Sequence, residues 1–250
     1  MTGQPDEGWV RAERDGAVLT VSLVRPDQLN AQTPATWAAL RTLGEQLDDG
    51  VRVVVVRGEG RAFSAGLDRA LLPGLAAELA PLPPDLADER LRGWQAAFRW
   101  LRAPGIVSVA AVQGHAVGAG AQLALACDLR VVAEDLQLRL PEATLGLVPD
   151  LTGTSTLVEL VGYARAVELC LTGRAVGAAE AVALGLAATA VPVGRLDAAV
   201  AGLVTALLAV DPGAARETVA LLRSATRTGP AAQDAAERAA QLRRLRALSA

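Results

Sequence analysis

Two short runs of this chain are apolar at nearly every position and rich in β-branched residues. Val51 to Val56 reads VRVVVV and stops at Gly58; Ile106 to Val112 reads IVSVAAV and stops at Gly114. A strand with one wet face alternates polar and apolar residues. A run without alternation predicts a strand covered on both faces, as in a parallel sheet. Each run leads into a glycine loop and then a helical pattern. The first helix spans Asp85 to Arg102, with Leu86, Leu91, Trp94, Phe98 and Leu101 on its apolar side, and Pro104-Gly105 ends it. The second spans about Ala119 to Cys127. Strand, loop and helix thus recur about 55 residues apart, which predicts a regularly wound α/β structure.

Around these units the pattern is readable in pieces. Trp9 to Arg14 and Val18 to Val24 read as strands joined by a turn at Asp15-Gly16. Thr33-Pro34 marks a helix start, followed by Trp37, Leu40, Leu43 and Leu47 and stopped by Asp48-Asp49-Gly50. Pro73, Pro81, Pro83 and Pro84 predict an irregular segment. Leu129 to Ala133 and Ala187 to Val193 read as strands. From Thr154 onward the chain is mainly helical. Three helices are expected after residue 194, divided at Asp211-Pro212 and Gly229-Pro230. We therefore divide the chain into an α/β core over 1–193 and a helical region over 194–250.

Composition removes several functions. The net charge is −3, and no basic block precedes the last helix, whose Arg243, Arg244 and Arg246 read as a solvated face. A nucleic-acid partner is not expected. All basic residues are Arg, so lysine Schiff-base chemistry and a lysine-bearing phosphate loop are excluded. His115 is the single histidine, and no metal site is expected. Cys127 and Cys170 read as reduced thiols in a cytoplasmic protein. The polar start, Met1 to Gly8, does not read as a secretory leader. Pro104 to Cys127 carries no ionised residue and is long enough to span a membrane. Its glycines, Gln113, His115 and Gln122 instead predict a strand, a turn and a helix, so no membrane span is expected.

The glycine loops are where chemistry is expected. Small residues allow a backbone to pass close to a ligand, and amides at a helix start have no internal partner. Two such amides converging on one point would stabilise a developing oxyanion; close packing alone is the other reading.

Five segments then carry a resemblance. Arg25-Pro26-Asp27-Gln28-Leu29-Asn30-Ala31, the loop Gly58 to Asp68 and the stretch Gly114 to Asp128 come first. Pro141-Glu142 through Leu145-Gly146-Leu147-Val148-Pro149 to Gly153-Thr154 is the fourth, and Leu171-Thr172-Gly173 through Ala181 to Leu184-Gly185-Leu186 the fifth. In order and spacing, over about residues 18 to 192, they resemble the enoyl-CoA hydratase/isomerase (crotonase) family. The resemblance implies a crotonase-like spiral of ββα turns and a C-terminal helical region that makes a homotrimer or a dimer of trimers. It also implies an acyl-CoA thioester as ligand, with no cofactor beyond the coenzyme A of the substrate. The oxyanion amides would be those of Leu67 and Ala119. Contacts to the thioester would come from Arg25, Leu29, Ala31, Ala65, Gly66 and Asp68, and from Gly118, Gln122, Pro141 and Leu145. Arg25 is the candidate for a CoA phosphate.

The carboxylates depart from the family's hydratases, which use two glutamates on water. The first of these positions holds Gln122 here, which cannot carry a proton as a carboxylate does. Glu142 occupies the second. One carboxylate can remove a proton at one carbon and return it at another, which is double-bond isomerisation. Asp150 follows eight residues later, the spacing of the acidic pair in dienoyl-CoA isomerases. In the aromatic acyl-CoA dehalogenase branch an aspartate there is the nucleophile. That reading needs aromatic residues around a flat ring, and none lies between Trp100 and Tyr163. Asp150 could also simply cap the helix after it. The preferred reading is an isomerase with Glu142 and Asp150 as proton carriers. A non-catalytic acyl-CoA binder and an atypical hydratase are the alternatives. The family's lysine-containing C-terminal CoA contact has no counterpart in this chain.

Overall fold

The computed structural model describes residues 9–249; the polar start, Met1 to Gly8, lies outside them. β1 (Val10–Asp15) and β2 (Val18–Leu23) form the expected hairpin, with Gly16 at φ +54° in the turn. α1 (Pro34–Glu45) opens on a reciprocal cap. The Thr33 hydroxyl accepts from the Thr36 amide at 3.2 Å, and the Thr33 amide donates to the Thr36 hydroxyl at 3.1 Å. Such a cap contributes about 1 kcal/mol. α1 ends three residues before Asp48, because that side chain accepts from the Gly50 amide at 2.8 Å and makes a turn of its own.

β3 (Val53–Gly58) begins two residues later than its apolar run, where pairing with β2 starts at Val18 and Val53. The proline-rich segment is not irregular throughout. It contains α2 (Leu72–Leu79), with Pro73 in the first turn, where a missing N–H costs nothing. α3 (Pro84–Arg99) follows and runs into a short 3-10 turn up to Arg102.

The membrane-length run divides into β4 (Val107–Val112), β5 (His115–Val117) and α4 (Ala119–Ala126). Among the described residues, no single helix is long and apolar enough to cross a membrane. β6 (Leu129–Ala133), β7 (Gln137–Arg139) and α5 (Gly153–Thr172) repeat the same order of strand, strand and helix. α6 (Ala178–Ala183) and β8 (Thr189–Val191) close the sheet. α7 (Leu196–Ala209), α8 (Pro212–Ala225) and α9 (Pro230–Leu248) divide where Asp211-Pro212 and Gly229-Pro230 predict.

The main sheet has the order β1-β2-β3-β4-β6-β8, with every pair after the hairpin parallel. β5 and β7 make a second, two-stranded parallel sheet. The apolar runs need two covered faces for a visible reason. Val54, Val56, Ala110 and Val112 pack into the main core with Trp37, Phe98 and α4. Val53, Val55, Val109 and Ala111 meet Leu196 and Val200 of α7 on the other face. Both cysteines are free thiols, and burial pushes the Cys127 thiol up to about 12.

Candidate active site

The two glycine loops meet at the N-terminus of α4. A Cβ on Gly66 would overlap the Val117 carbonyl oxygen and sit 3.3 Å from the Ala119 nitrogen. Gly66 has φ +86°, so only glycine tolerates both the contact and the conformation. Around this junction the amides are mostly used. Gly66 N donates to Ser64 Oγ at 3.2 Å, Asp68 N to the Gln32 carbonyl at 2.8 Å, and Gly118 N to the Arg139 carbonyl at 2.9 Å. The amides of Leu67 and Ala119 donate to no protein acceptor among the described residues. Ala119 is the first residue of α4, where an amide has no intrahelical partner.

The first loop is braced by side chains. Asn30, at φ +54°, donates through Nδ2 to the Glu59 and Ala62 carbonyls at 2.8 Å each. Gln32 Nε2 donates to Ser64 Oγ at 3.0 Å, while its Oε1 accepts from the Trp37 indole at 2.8 Å. The Ser64 hydroxyl donates to the Asn30 carbonyl at 2.8 Å. Gln32, Ser64 and Trp37 were not singled out as site residues from sequence. Their only signal was their closeness to the Asn30-Ala31 and Gly66 motifs.

Every residue of α4 is buried, and Gln122 is its one polar side chain. Gln122 Nε2 donates to Glu142 Oε1 at 2.8 Å, and its Oε1 accepts from the Leu151 and Gly153 amides at 2.8 and 3.3 Å. Glu142 opens the 3-10 turn after Pro141 and is 8% exposed. A Cβ on Gly118 would lie 3.5 Å from its Oε1. Its Oε2 is buried and unpartnered. Burial is the main cause that raises the Glu142 carboxyl; the Gln122 hydrogen bond opposes it and the charge of Asp150 adds to it. Burial also raises Asp150. Asp150 does not cap α5, which begins after Thr152 without a side-chain cap.

Glu142 and Asp150 face one cavity of about 260 Å³. Ala65, Gly66, Leu67, Gly118, Ala119, Gln122, Pro141 and Leu145 line it as well. Arg25, Leu29, Ala31 and Asp68 stand outside this wall. Arg25 is paired with Asp68 at 2.9 Å, and its guanidinium lies 5.7 Å from the centre of the Trp9 ring. The Leu29 carbonyl accepts from the Ala65 amide at 2.8 Å, and the Ala31 carbonyl from Arg25 Nη1 at 3.4 Å, so both brace the loop.

The wall also holds Trp37 of α1 and Trp94 of α3, with ring centroids 5.0 Å apart and planes tilted by 54°. Aromatic residues therefore do reach the site, although none lies between Trp100 and Tyr163. The stretch after Trp100 has none, but helices distant in sequence build this wall. Leu72, Leu75 and Leu79 of α2 complete it, so the proline-rich segment contributes an apolar helix to the site.

Successive strand–strand–helix turns with two joined glycine loops define the crotonase fold. Residues 13–246 match the family model described as enoyl-CoA hydratase/isomerase, and the chain belongs to that family. A curated relative from Mycobacterium bovis, named a probable enoyl-CoA hydratase, is 32% identical over 209 residues, covering 83% of this chain and 78% of its own. A protein from Thermobifida fusca YX, assigned as an enoyl-CoA hydratase, has been solved with acetoacetyl-CoA. It is 46% identical, with 95% of each chain covered and a TM-score of 0.89. Its complex with CoA aligns over 100% of this chain and 98% of its own at 45% identity, with a TM-score of 0.92.

Proposed function

We propose that this protein moves a double bond in an acyl-CoA thioester by proton transfer. Similarity to the Thermobifida fusca protein solved with acetoacetyl-CoA supports the thioester. The observation that carries the proton-transfer reading is the state of Gln122. Both ends of its amide are used, one on Glu142 and the other on the Leu151 and Gly153 amides. It orients Glu142 rather than activating a water. That leaves two carboxyl groups on the cavity, both raised by burial.

In this scheme the thioester carbonyl oxygen accepts from the Leu67 and Ala119 amides. Glu142 takes a proton from the carbon next to the carbonyl, and the electron pair moves onto that oxygen as an enolate. Fixed amide donors and the positive end of α4 stabilise the new charge. The proton returns at the far end of the shifted double bond, from Glu142 or from Asp150. Atoms and charge are conserved, and no cofactor beyond coenzyme A takes part.

Glu142→Gln is expected to lower turnover by at least about 10²-fold while CoA-ester affinity measured by calorimetry is retained. Unchanged turnover in that variant would overturn the assignment. Apolar side chains exposed on α5 and α9, among them Tyr163, Leu171, Leu242 and Leu248, support the homotrimer or dimer of trimers. Light scattering on a sizing column reads the mass directly, and a monomer at micromolar concentration rules that assembly out.

Trp37 and Trp94 favour a second reading, an aryl thioester with the Asp150 carboxylate as nucleophile. Attack at the ring carbon would expel a halide, and water would then cleave the aryl ester. Halide release from 4-chlorobenzoyl-CoA, lost in Asp150→Asn, selects this reading over isomerisation.

A further inference from the structure

Asp150 borders a second cavity, of about 580 Å³, and is the only described residue that lines both. The first cavity is walled mainly by leucines, tryptophans and backbone. The second is walled by arginines and hydroxyls. Arg99 ends α3 and Arg102 ends the 3-10 turn after it, Thr154 and Ser155 come from the first turn of α5, and Arg227 from the connection between α8 and α9.

These guanidinium groups are poorly neutralised. The Arg99 side chain donates to the Gln95 amide oxygen at 2.9 Å. Among the described residues, no carboxylate lies within 4 Å of the Arg99 or Arg227 guanidinium. Arg102 stands 3.9 Å from Glu159, and its Nε is buried without a partner. Three arginines and one carboxylate-bearing residue, Asp150, therefore line this cavity. The first turn of α5, which runs unbroken up to a kink at Gly162, adds the positive end of its dipole to the same wall. A concave site with surplus guanidinium charge and hydroxyls at the start of a helix suits an oxyanion better than it suits an alkyl chain.

We propose that this second cavity binds a small anion of the carboxylate or phosphate class, seated beside Asp150 between Arg99, Arg102 and Arg227. The anion has two possible sources. It is either a free ion or the far end of an acyl chain that runs past Asp150. The second source rests on the acyl-thioester reading above; the first does not.

The test uses the full chain and the double variant R99Q/R227Q. Both arginines are exposed to solvent, so the variant keeps the fold, which its unchanged melting temperature without anion verifies. Inorganic phosphate and glutarate are titrated calorimetrically into both proteins. In parallel, KM is measured for a six-carbon enoyl-CoA and for its counterpart with a terminal carboxylate. Loss of one charge-assisted contact is worth about tenfold in affinity. A free-ion site shows phosphate or glutarate binding that weakens at least about tenfold in the variant. A chain-borne carboxylate shows a KM at least about tenfold lower for the carboxylated ester than for the neutral one. R99Q/R227Q abolishes that preference and leaves the neutral ester unaffected. Equal anion binding by the two proteins, or none by either, together with no preference between the esters, overturns the proposal. If neither ester is bound, the acyl-thioester reading fails instead, and the phosphate titration alone decides the site.

Discussion

The two glycine loops reach the same end, one free amide each, by different constructions. The loop from Gly58 to Asp68 follows a buried strand, and polar side chains hold it from outside. Asn30, Gln32 and Ser64 supply hydrogen bonds to its backbone or to one another. The loop from Gly114 to Gly118 is braced by a single side chain, the Asp135 carboxylate, which accepts from the Gly114 amide at 3.0 Å. It is otherwise fixed by main-chain pairing, with β5 held against β7 and the Gly118 amide on the Arg139 carbonyl. The buried helix α4 completes it. The first construction can be loosened one side chain at a time. The second rests mainly on backbone contacts and is most sensitive where volume is added to them.

Adding that volume has the largest expected effect. A Cβ at Gly120 would overlap the Ser64 carbonyl oxygen and reach 2.8 Å from the Ser64 Cβ. Gly120→Ala forces the two loops apart at the point where each braces the other. The expected cost is about 3 kcal/mol, read as a lower urea midpoint at unchanged slope. A midpoint within error of the parent would mean that the loops separate freely.

Gln32→Leu comes next. It strips the Trp37 indole N–H of its acceptor and Ser64 of a donor inside the core. Buried groups left unpaired cost about 2 kcal/mol. Since the Leu67 amide moves with this loop, kcat should fall by about 10² with a much smaller change in KM. A change in KM alone would place Gln32 in binding rather than in support of the amide. His115→Ala is the matching probe of the second loop. His115 is exposed, and its carbonyl, not its ring, accepts from the Ser64 amide at 2.8 Å. Stability should stay within about 0.5 kcal/mol, and a larger loss would show that the second loop depends on the His115 ring as well as on its carbonyl.

This difference also explains what could be read before folding. The β-branched runs of β3 and β4, the Thr33-Pro34 helix start and the breaks before α8 and α9 are local signals, and each holds to within a residue or two. The motif residues that build the main-chain junction, Gly66 and Gly118 to Gly120, were readable because glycine at a close contact has few substitutes. β5 and β7 were not. Strands of three residues are too short to show a period, and their pairing is decided by the chain that brings them together. Trp37 and Trp94 read as apolar positions of two separate helices. Only the packing of α1 on α3 makes them one wall of the cavity. The role of Gln122 was legible only as a missing carboxylate. Its hold on Glu142, Leu151 and Gly153 depends on residues up to 31 positions away.

The smallest expected effect is a displacement along the pH axis, and it concerns the carboxylate attached to the second loop. Glu142 titrates above its ordinary value of 4.5 because it is buried, and the neighbouring charge of Asp150 pushes in the same direction. If Glu142 is the base, exchange of the α-proton of a bound acyl-CoA in D2O rises with pH through this elevated value. Asp150→Asn removes the negative neighbour, so the acid limb should move to lower pH; movement to higher pH would disprove the coupling. Stability supplies the complementary sign. Between 4.5 and the raised value, the folded protein holds a proton that the unfolded chain has lost. Stability therefore falls as pH rises through that window and is level above it. Glu142→Gln cannot titrate, so its stability relative to the parent should increase across the same window and then plateau. A relative stability that declines there would mean that Glu142 is stabilised as the anion, with a lowered rather than a raised pKa, which makes it a weaker base.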